Sequence, residues 1–205
     1  MTETSRILAL DLLGGHPALD FINTVDWRDR ADAEDCLVSY AALLAWAKRV
    51  GLLDAAEAKA LAQAADAEPE AADAALSAAV DLRETLHRLL THAGKPAAAD
   101  LERLNHWLAE MPATARLVAA KGGGYAWAEP RAGLGLSAPI LRLAHAAAGL
   151  LASDRLPRVH VCGGPGCGWL FLDTSPSGRR RWCAMESCGN RAKAQRHYRR
   201  AKAGE

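Results

Sequence analysis

The sequence predicts a mainly α protein: an N-terminal helical domain with one small β-hairpin, followed by a compact C-terminal module built from a short β-hairpin and a terminal helix. Three observations carry this. Half of the 205 residues are hydrophobic, yet Phe (2) and Tyr (3) are scarce while Ala and Leu dominate, a composition that suits helices better than a sandwich or barrel. Leu76, Ala79, Leu82, Leu86 and Leu89 repeat at spacings of three and four. Near residue 158 both the charge and the cysteine usage change abruptly.

The helices follow in order. Ser39–Val50 reads as a helix ended by Gly51, and Asp54–Ala65 as a second, Ala-rich one. Pro69 opens a third at its first turn, running to His92 before Gly94. Leu76, Ala79, Leu82, Leu86 and Leu89 form its apolar stripe. Ala97–Glu110 is a fourth. In "ARLVAAKGGGYAWAEP" two short apolar runs flank a Gly-rich turn and predict a β-hairpin. Ser137 then caps a helix that carries Pro139 in its first turn and reaches about Ala152. "SDRLP" is the linker, so the expected domains are 1–153 and 158–205.

The formal net charge of +1 conceals an asymmetry. From Arg158 to Glu205 there are ten Lys/Arg against three Asp/Glu; before it there are fifteen against twenty-one. The two parts therefore suit different partners. No run approaches eighteen apolar residues, and the N-terminus lacks a basic start with a clean apolar stretch, so no membrane span or signal peptide is expected and a cytoplasmic location follows.

Cys36 stands alone; Cys162, Cys167, Cys183 and Cys188 form two C-x4-C pairs separated by fifteen residues. In a reducing compartment such a framework predicts a metal site rather than disulfides. Four thiolates fill a tetrahedral Zn²⁺ site and leave no open position, so one structural zinc is expected, not a catalytic one. A labile redox centre or four unrelated core cysteines are the alternatives.

"RVHVC" reads as a strand into the first pair, "GGPG" as the knuckle that wraps the ion, "WLFLD" as a second strand, and "RRRWC" as a returning strand. Ser187 is placed to cap a helix starting near Cys188 and running to about Ala201. The result is a treble-clef-like zinc finger whose helix N-terminus favours thiolates.

On that helix Lys193, Arg196 and Arg200 share one arc with Arg199 at its flank, while Ala194, Tyr198 and Ala201 are expected to pack toward the finger. No acidic residue at i±4 balances the basic arc. Arg179, Arg180 and Arg181 add a second basic cluster. These residues, with Arg191, are the candidate nucleic-acid contacts, Arg191 being equally able to fold back onto the finger. Arg196 and Gln195 are placed to reach base edges.

The stretch from Val159 to Lys202, with both cysteine pairs and the tetrapeptide Cys188-Gly189-Asn190-Arg191, resembles the CGNR zinc finger. "LLGGHPALDFINTVDWR", Leu12–Arg28, resembles the start of the helical ABATE domain that precedes that finger in a family of stress-induced transcription regulators. The resemblance implies zinc on the four cysteines and DNA as partner. Gly189 is expected to allow close backbone approach to the metal, and Asn190 to bond a thiolate or a knuckle carbonyl.

Within the N-terminal stretch, His16, Asp20, Asn23 and Arg28 are set among apolar residues. On a helix from about Pro17, Asp20 neighbours Asn23 and Asn23 neighbours Trp27. They are either a ligand pocket for a polar or anionic molecule or a capping and packing motif. His87, His92, His106 and His145 are scattered. With no P-loop, G-x-S-x-G, strand-linked GxGxxG or H-E-x-x-H, no enzyme is expected. The reading is a DNA-binding transcriptional regulator whose helical domain senses a signal or dimerises; the alternative is a zinc-stabilised protein-interaction or RNA-binding module.

Overall fold

A computed structural model of the chain describes residues 3–92, 95–111, 116–119, 125–128 and 133–203. Eight α-helices are found among them: α1 Glu3–Ala9, α2 Pro17–Ile22, α3 Tyr40–Arg49, α4 Ala55–Ala67, α5 Pro69–Thr91, α6 Ala98–Ala109, α7 Ala138–Leu151 and α8 Asn190–Ala203. Three two-stranded antiparallel ladders complete the described part: β1 (Val25–Asp26) with β2 (Glu34–Asp35), β3 (Arg116–Ala119) with β4 (Tyr125–Ala128), and β5 (Val159–Val161) with β6 (Leu170–Leu172). No described helix is long and apolar enough to cross a membrane.

Local chemistry sets most of the boundaries. The Ser39 side chain accepts from the Ala42 N–H at the start of α3. Asp54 and Glu57 form a reciprocal capping box on α4. Pro69 opens α5, and its stripe of Ala79, Leu82, Leu86 and Leu89 is buried. A short 3₁₀ turn, Gly135–Ser137, leads into α7, so the Ser137 side chain makes no cap hydrogen bond, contrary to the expectation. The β3–β4 hairpin falls where the two apolar runs predict it; its Gly-rich turn, like Gly94 and Gly204, lies outside the described residues. The short β1–β2 ladder and α1 have no signal in the sequence pattern.

Helix α2 stops at Ile22, and Asn23 is its C-cap. Trp27 therefore does not share a helical face with Asn23, correcting the sequence reading. Instead it stands in a turn with φ of +54°, the one non-glycine residue with positive φ among those described.

One apolar core runs through both parts of the chain. It includes Ile7, Phe21, Trp46, Leu86 and Leu143, and also Leu170, Phe171, Leu172 and the four clustered cysteines. Buried ion pairs stitch its rim. Arg83, 2% exposed, holds Asp35 with two bonds of 2.6 and 2.7 Å, and Arg142 binds Glu57 at 2.7 Å.

Candidate metal centre and basic helix

The metal centre is assembled from two knuckles. β5 delivers Cys162, a turn returns Cys167, and β6 follows at once; Val159, His160 and Val161 pair with Leu172, Phe171 and Leu170. Cys183 lies at a bend before the extended Ala184, and Cys188 lies in a single π turn, Met185–Gly189, that leads directly into α8. "RRRWC" is thus not a strand. It runs beside the first knuckle, with one backbone-to-backbone hydrogen bond to it, from the Gly163 N–H to the Arg181 carbonyl (2.8 Å). Ser187 does not cap; the N-cap position of the π turn falls on Ala184.

The four sulfurs lie within 4.8 Å of one another, and all four residues are buried. The Cys162 sulfur accepts from the N–H groups of Gly164 (3.4 Å) and Cys183 (3.3 Å). Hydrogen bonds from the thiols of Cys167 and Cys183, then these backbone donors, pull the Cys162 thiol far below the usual thiol range. The same sulfur contacts push Cys167 up, and push Cys183 up to about 12. Without a cation the set cannot ionise together; a divalent ion removes that conflict. The chemistry of the donors therefore fits one structural Zn²⁺, held by Cys162, Cys167, Cys183 and Cys188.

Two glycines shape this centre. A Cβ on Gly164 would meet Cys188 Sγ and Cβ at 2.8 Å, so the knuckle closes only on glycine. A Cβ on Gly189 would meet Met185 Sδ at 2.5 Å and the Trp182 ring at 3.3 Å. Its role is clearance for those side chains rather than for the metal, which corrects the expectation. Asn190 bonds a knuckle carbonyl, Nδ2 donating to Glu186 O at 3.1 Å.

The centre is seated on the N-terminal motif. Asn23 exchanges two bonds with the main chain of Leu170: Nδ2 donates to its carbonyl and Oδ1 accepts from its N–H, both at 2.8 Å. Trp169 Nε1 donates to Val25 O (3.2 Å), and Leu172 N–H donates to Gly14 O (2.9 Å). Asp20 accepts from the Gly14 N–H at 2.8 Å and holds that loop in place. Burial pushes the Asp20 carboxyl up to about 6. His16 caps α2, Nδ1 accepting from Ala18 N–H, and burial lowers its pKa. Arg28 forms a fork with Glu84 at 2.7 and 3.2 Å and donates to Ile22 O. His16, Asp20, Asn23 and Arg28 each have a partner within the chain. Trp27, which the sequence reading placed on a helix beside Asn23, and Trp169, which it placed at the start of a strand, complete the seat, a role that no local signal assigned to either.

The basic residues divide into two groups. Arg180 turns inward: its guanidinium lies 4.6 Å from the Phe171 ring and donates to the Trp182 (3.0 Å) and Cys183 carbonyls. Arg191 also turns inward, onto Cys188 and Trp27. Arg179 and Arg181 are exposed, as are Lys193, Arg196, Arg199 and Arg200. Indeed every residue of α8 from Lys193 to Lys202 is exposed. Tyr198 is 68% exposed, so Ala194, Tyr198 and Ala201 do not pack on the finger as their spacing had suggested. Only the first turn of α8 is supported, and the rest projects.

Comparison with protein families gives two matches. The profile of the ABATE family, described as "Putative stress-induced transcription regulator", matches residues 15–154, and that of the CGNR zinc finger matches residues 158–201. No curated protein matches the chain.

Proposed function

Because the chain belongs to the ABATE family of transcription regulators and ends in a CGNR zinc finger, we propose that it acts by binding duplex DNA through α8. The observation that carries this reading is the projecting helix. From Asn190 to Ala203 it holds six Lys/Arg and no acidic residue, and its exposed length carries Lys193, Arg196, Arg199 and Arg200. A helix exposed from Lys193 to Lys202 fits the major groove, and an unbalanced positive face suits phosphates. Arg179 and Arg181 extend that surface; Arg180 and Arg191 contribute through the finger's own packing.

The remaining assignments belong to the same proposal. Residues 158–205 form the DNA-binding unit, and residues 1–153 the unit that receives a signal or dimerises. His16, Asp20, Asn23 and Arg28 serve as the seat of the finger rather than as a ligand pocket, a reading supported by their internal partners. The role is non-enzymatic.

The test is the salt dependence of binding to duplex DNA. About four phosphate contacts give a slope of log K against log salt between about −3 and −5, at roughly −0.9 per contact. Arg200→Ala lowers the steepness by about one, uniformly across sequences, while Arg196→Ala relaxes sequence preference. If Lys193→Ala, Arg196→Ala and Arg200→Ala combined leave affinity and slope unchanged, α8 is a solvated surface and the protein-interaction or RNA-binding reading replaces this one.

A further inference from the structure

We infer that Arg191 is a positioning residue for the metal centre, and that the helical domain controls it through Trp27. Arg191 Nη2 donates to Cys188 Sγ at 2.9 Å, and its guanidinium carbon lies 4.3 Å from the centroid of the Trp27 ring. One side chain thus touches a metal-binding sulfur and an aromatic ring from the other end of the sequence.

Several independent features converge on this contact. Trp27 is held at a φ of +54°, a left-handed conformation that a bulky side chain seldom adopts. Two hydrogen bonds keep it there: Asp26 Oδ1 accepts from its N–H at 2.9 Å, and its carbonyl accepts from the Arg30 N–H at 2.8 Å. Strained backbone of this kind persists where the surroundings overdetermine it. Arg30 also lies over the ring, at 4.8 Å. The turn between the first two cysteines presses on the same place: a Cβ on Gly166 would meet Arg30 Cγ and Cδ at 2.7 Å and Trp27 Cε3 at 3.8 Å. A Cβ on Gly168 would meet Asp29 Oδ1 at 2.9 Å. Residues 26–30 therefore abut both knuckles, one through Gly166 and Gly168, the other through Arg191 and Cys188.

The physical consequence follows from charge. Four thiolates on one divalent ion leave the centre with an excess of two negative charges. A guanidinium hydrogen-bonded to one sulfur offsets part of that excess and withdraws electron density from the sulfur. The face of Trp27 fixes the guanidinium plane by a cation–π contact. Groups outside the ligand set that orient or charge-balance it are typically worth 10–100-fold in metal affinity. In this chain the guanidinium belongs to the finger, but the ring that holds it belongs to the helical domain, so zinc retention is a property of the whole chain.

The experiment uses the full-length chain loaded with Zn²⁺ or Co²⁺ and does not depend on the DNA reading. Arg191→Met is expected to raise zinc transfer to an excess chromophoric chelator about 10–100-fold. It should also move the sulfur-to-cobalt charge-transfer band to lower energy, because the sulfur loses its donor; a purely structural role would leave that band in place. Arg191→Lys should restore part of both. Trp27→Ala should accelerate zinc loss, and Trp27→Phe, which keeps an aromatic face, should largely preserve the parental rate. In the double variant, Arg191→Met with Trp27→Ala, loss should be no faster than with Arg191→Met alone. A parental band and release rate in Arg191→Met would overturn the assignment to Arg191. Additive effects in the double variant would overturn the coupling through Trp27.

Discussion

Asn23 and Leu170, 147 positions apart, exchange two 2.8 Å hydrogen bonds in which the amide of one serves as the strand partner of the other. The side chain imitates a backbone on the free edge of β6. Helix α2 ends on Asn23, so the residue that closes a helix of one part also pairs the sheet of the other.

Replacing Asn23 by Ala leaves the Leu170 N–H and C=O buried and unpaired. Each orphan costs about 1–3 kcal/mol, so the loss should be on the order of 2–5 kcal/mol. Asn23→Asp keeps the acceptor but sets a carboxylate against the Leu170 carbonyl and should be at least as harmful. Urea unfolding, with both variants compared to the parent at constant m, measures this. A loss below about 0.5 kcal/mol would mean that the pair does not seat the finger.

Metal removal should propagate into the helical part. Leu170, Phe171 and Leu172 are buried in the core that also holds Phe21 and Trp46. Chelation or Cys183→Ser should therefore lower the melting temperature of the whole chain, by roughly 6–12 °C for a loss of about 3 kcal/mol at this size. Gly164→Ala should act likewise, since its Cβ would lie 2.8 Å from Cys188 Sγ. Gly149 is the control: it is an exposed α7 residue with open space where a Cβ would go, and Gly149→Ala should stabilise by about 0.4–1 kcal/mol. Calorimetry beside metal analysis checks both, with about one Zn²⁺ per chain in the parent.

Asp20 should give the fold an acid-favoured component. Its carboxyl is pushed up from 3.8 to about 6 by burial, so the folded state holds its proton more tightly than the unfolded chain does. The neutral form is the more stable one. Stability from this group is full below about pH 4 and falls as the pH rises to about 6, by roughly 2–3 kcal/mol. Asp20→Asn retains an acceptor for the Gly14 N–H and cannot ionise, so it should flatten that part of the profile. Melting curves between pH 4 and 7, parent against variant, decide it; parallel curves would rule it out.

The parts of the fold governed by local rules could be read from the chain. The helix starts near Ser39 and Asp54, the Pro69 start and the α5 stripe all rest on signals that act within one or two turns, although the caps expected at Ser137 and Ser187 do not form. So does the grouping of Cys162, Cys167, Cys183 and Cys188, because ligand spacing is itself a local signal. What could not be read depends on pairs distant in sequence. Asn23 looked like a helical residue with a polar neighbour, and nothing nearby marks Leu170 as its partner. Tyr198 departs from its spacing for a related reason: periodicity gives the face of a helix but not whether anything lies against it, and here Tyr198 is 68% exposed. Arg191, with two equal destinations from spacing alone, is settled by Cys188 and Trp27.

Helix α8 is supported only at its root, and that sets the thermodynamics of whatever it meets. A lone helix of fourteen residues is marginal in water, since its turns cannot draw on tertiary burial. Repulsion between Lys193, Arg196 and Arg200, spaced at three and four, weakens it further. A polyanion laid along that face removes the repulsion and orders the outer turns at the moment of contact. Part of the gross attraction is consequently spent on winding the helix, and the net affinity is lower, and more sensitive to temperature, than the same charges would give on a rigid platform.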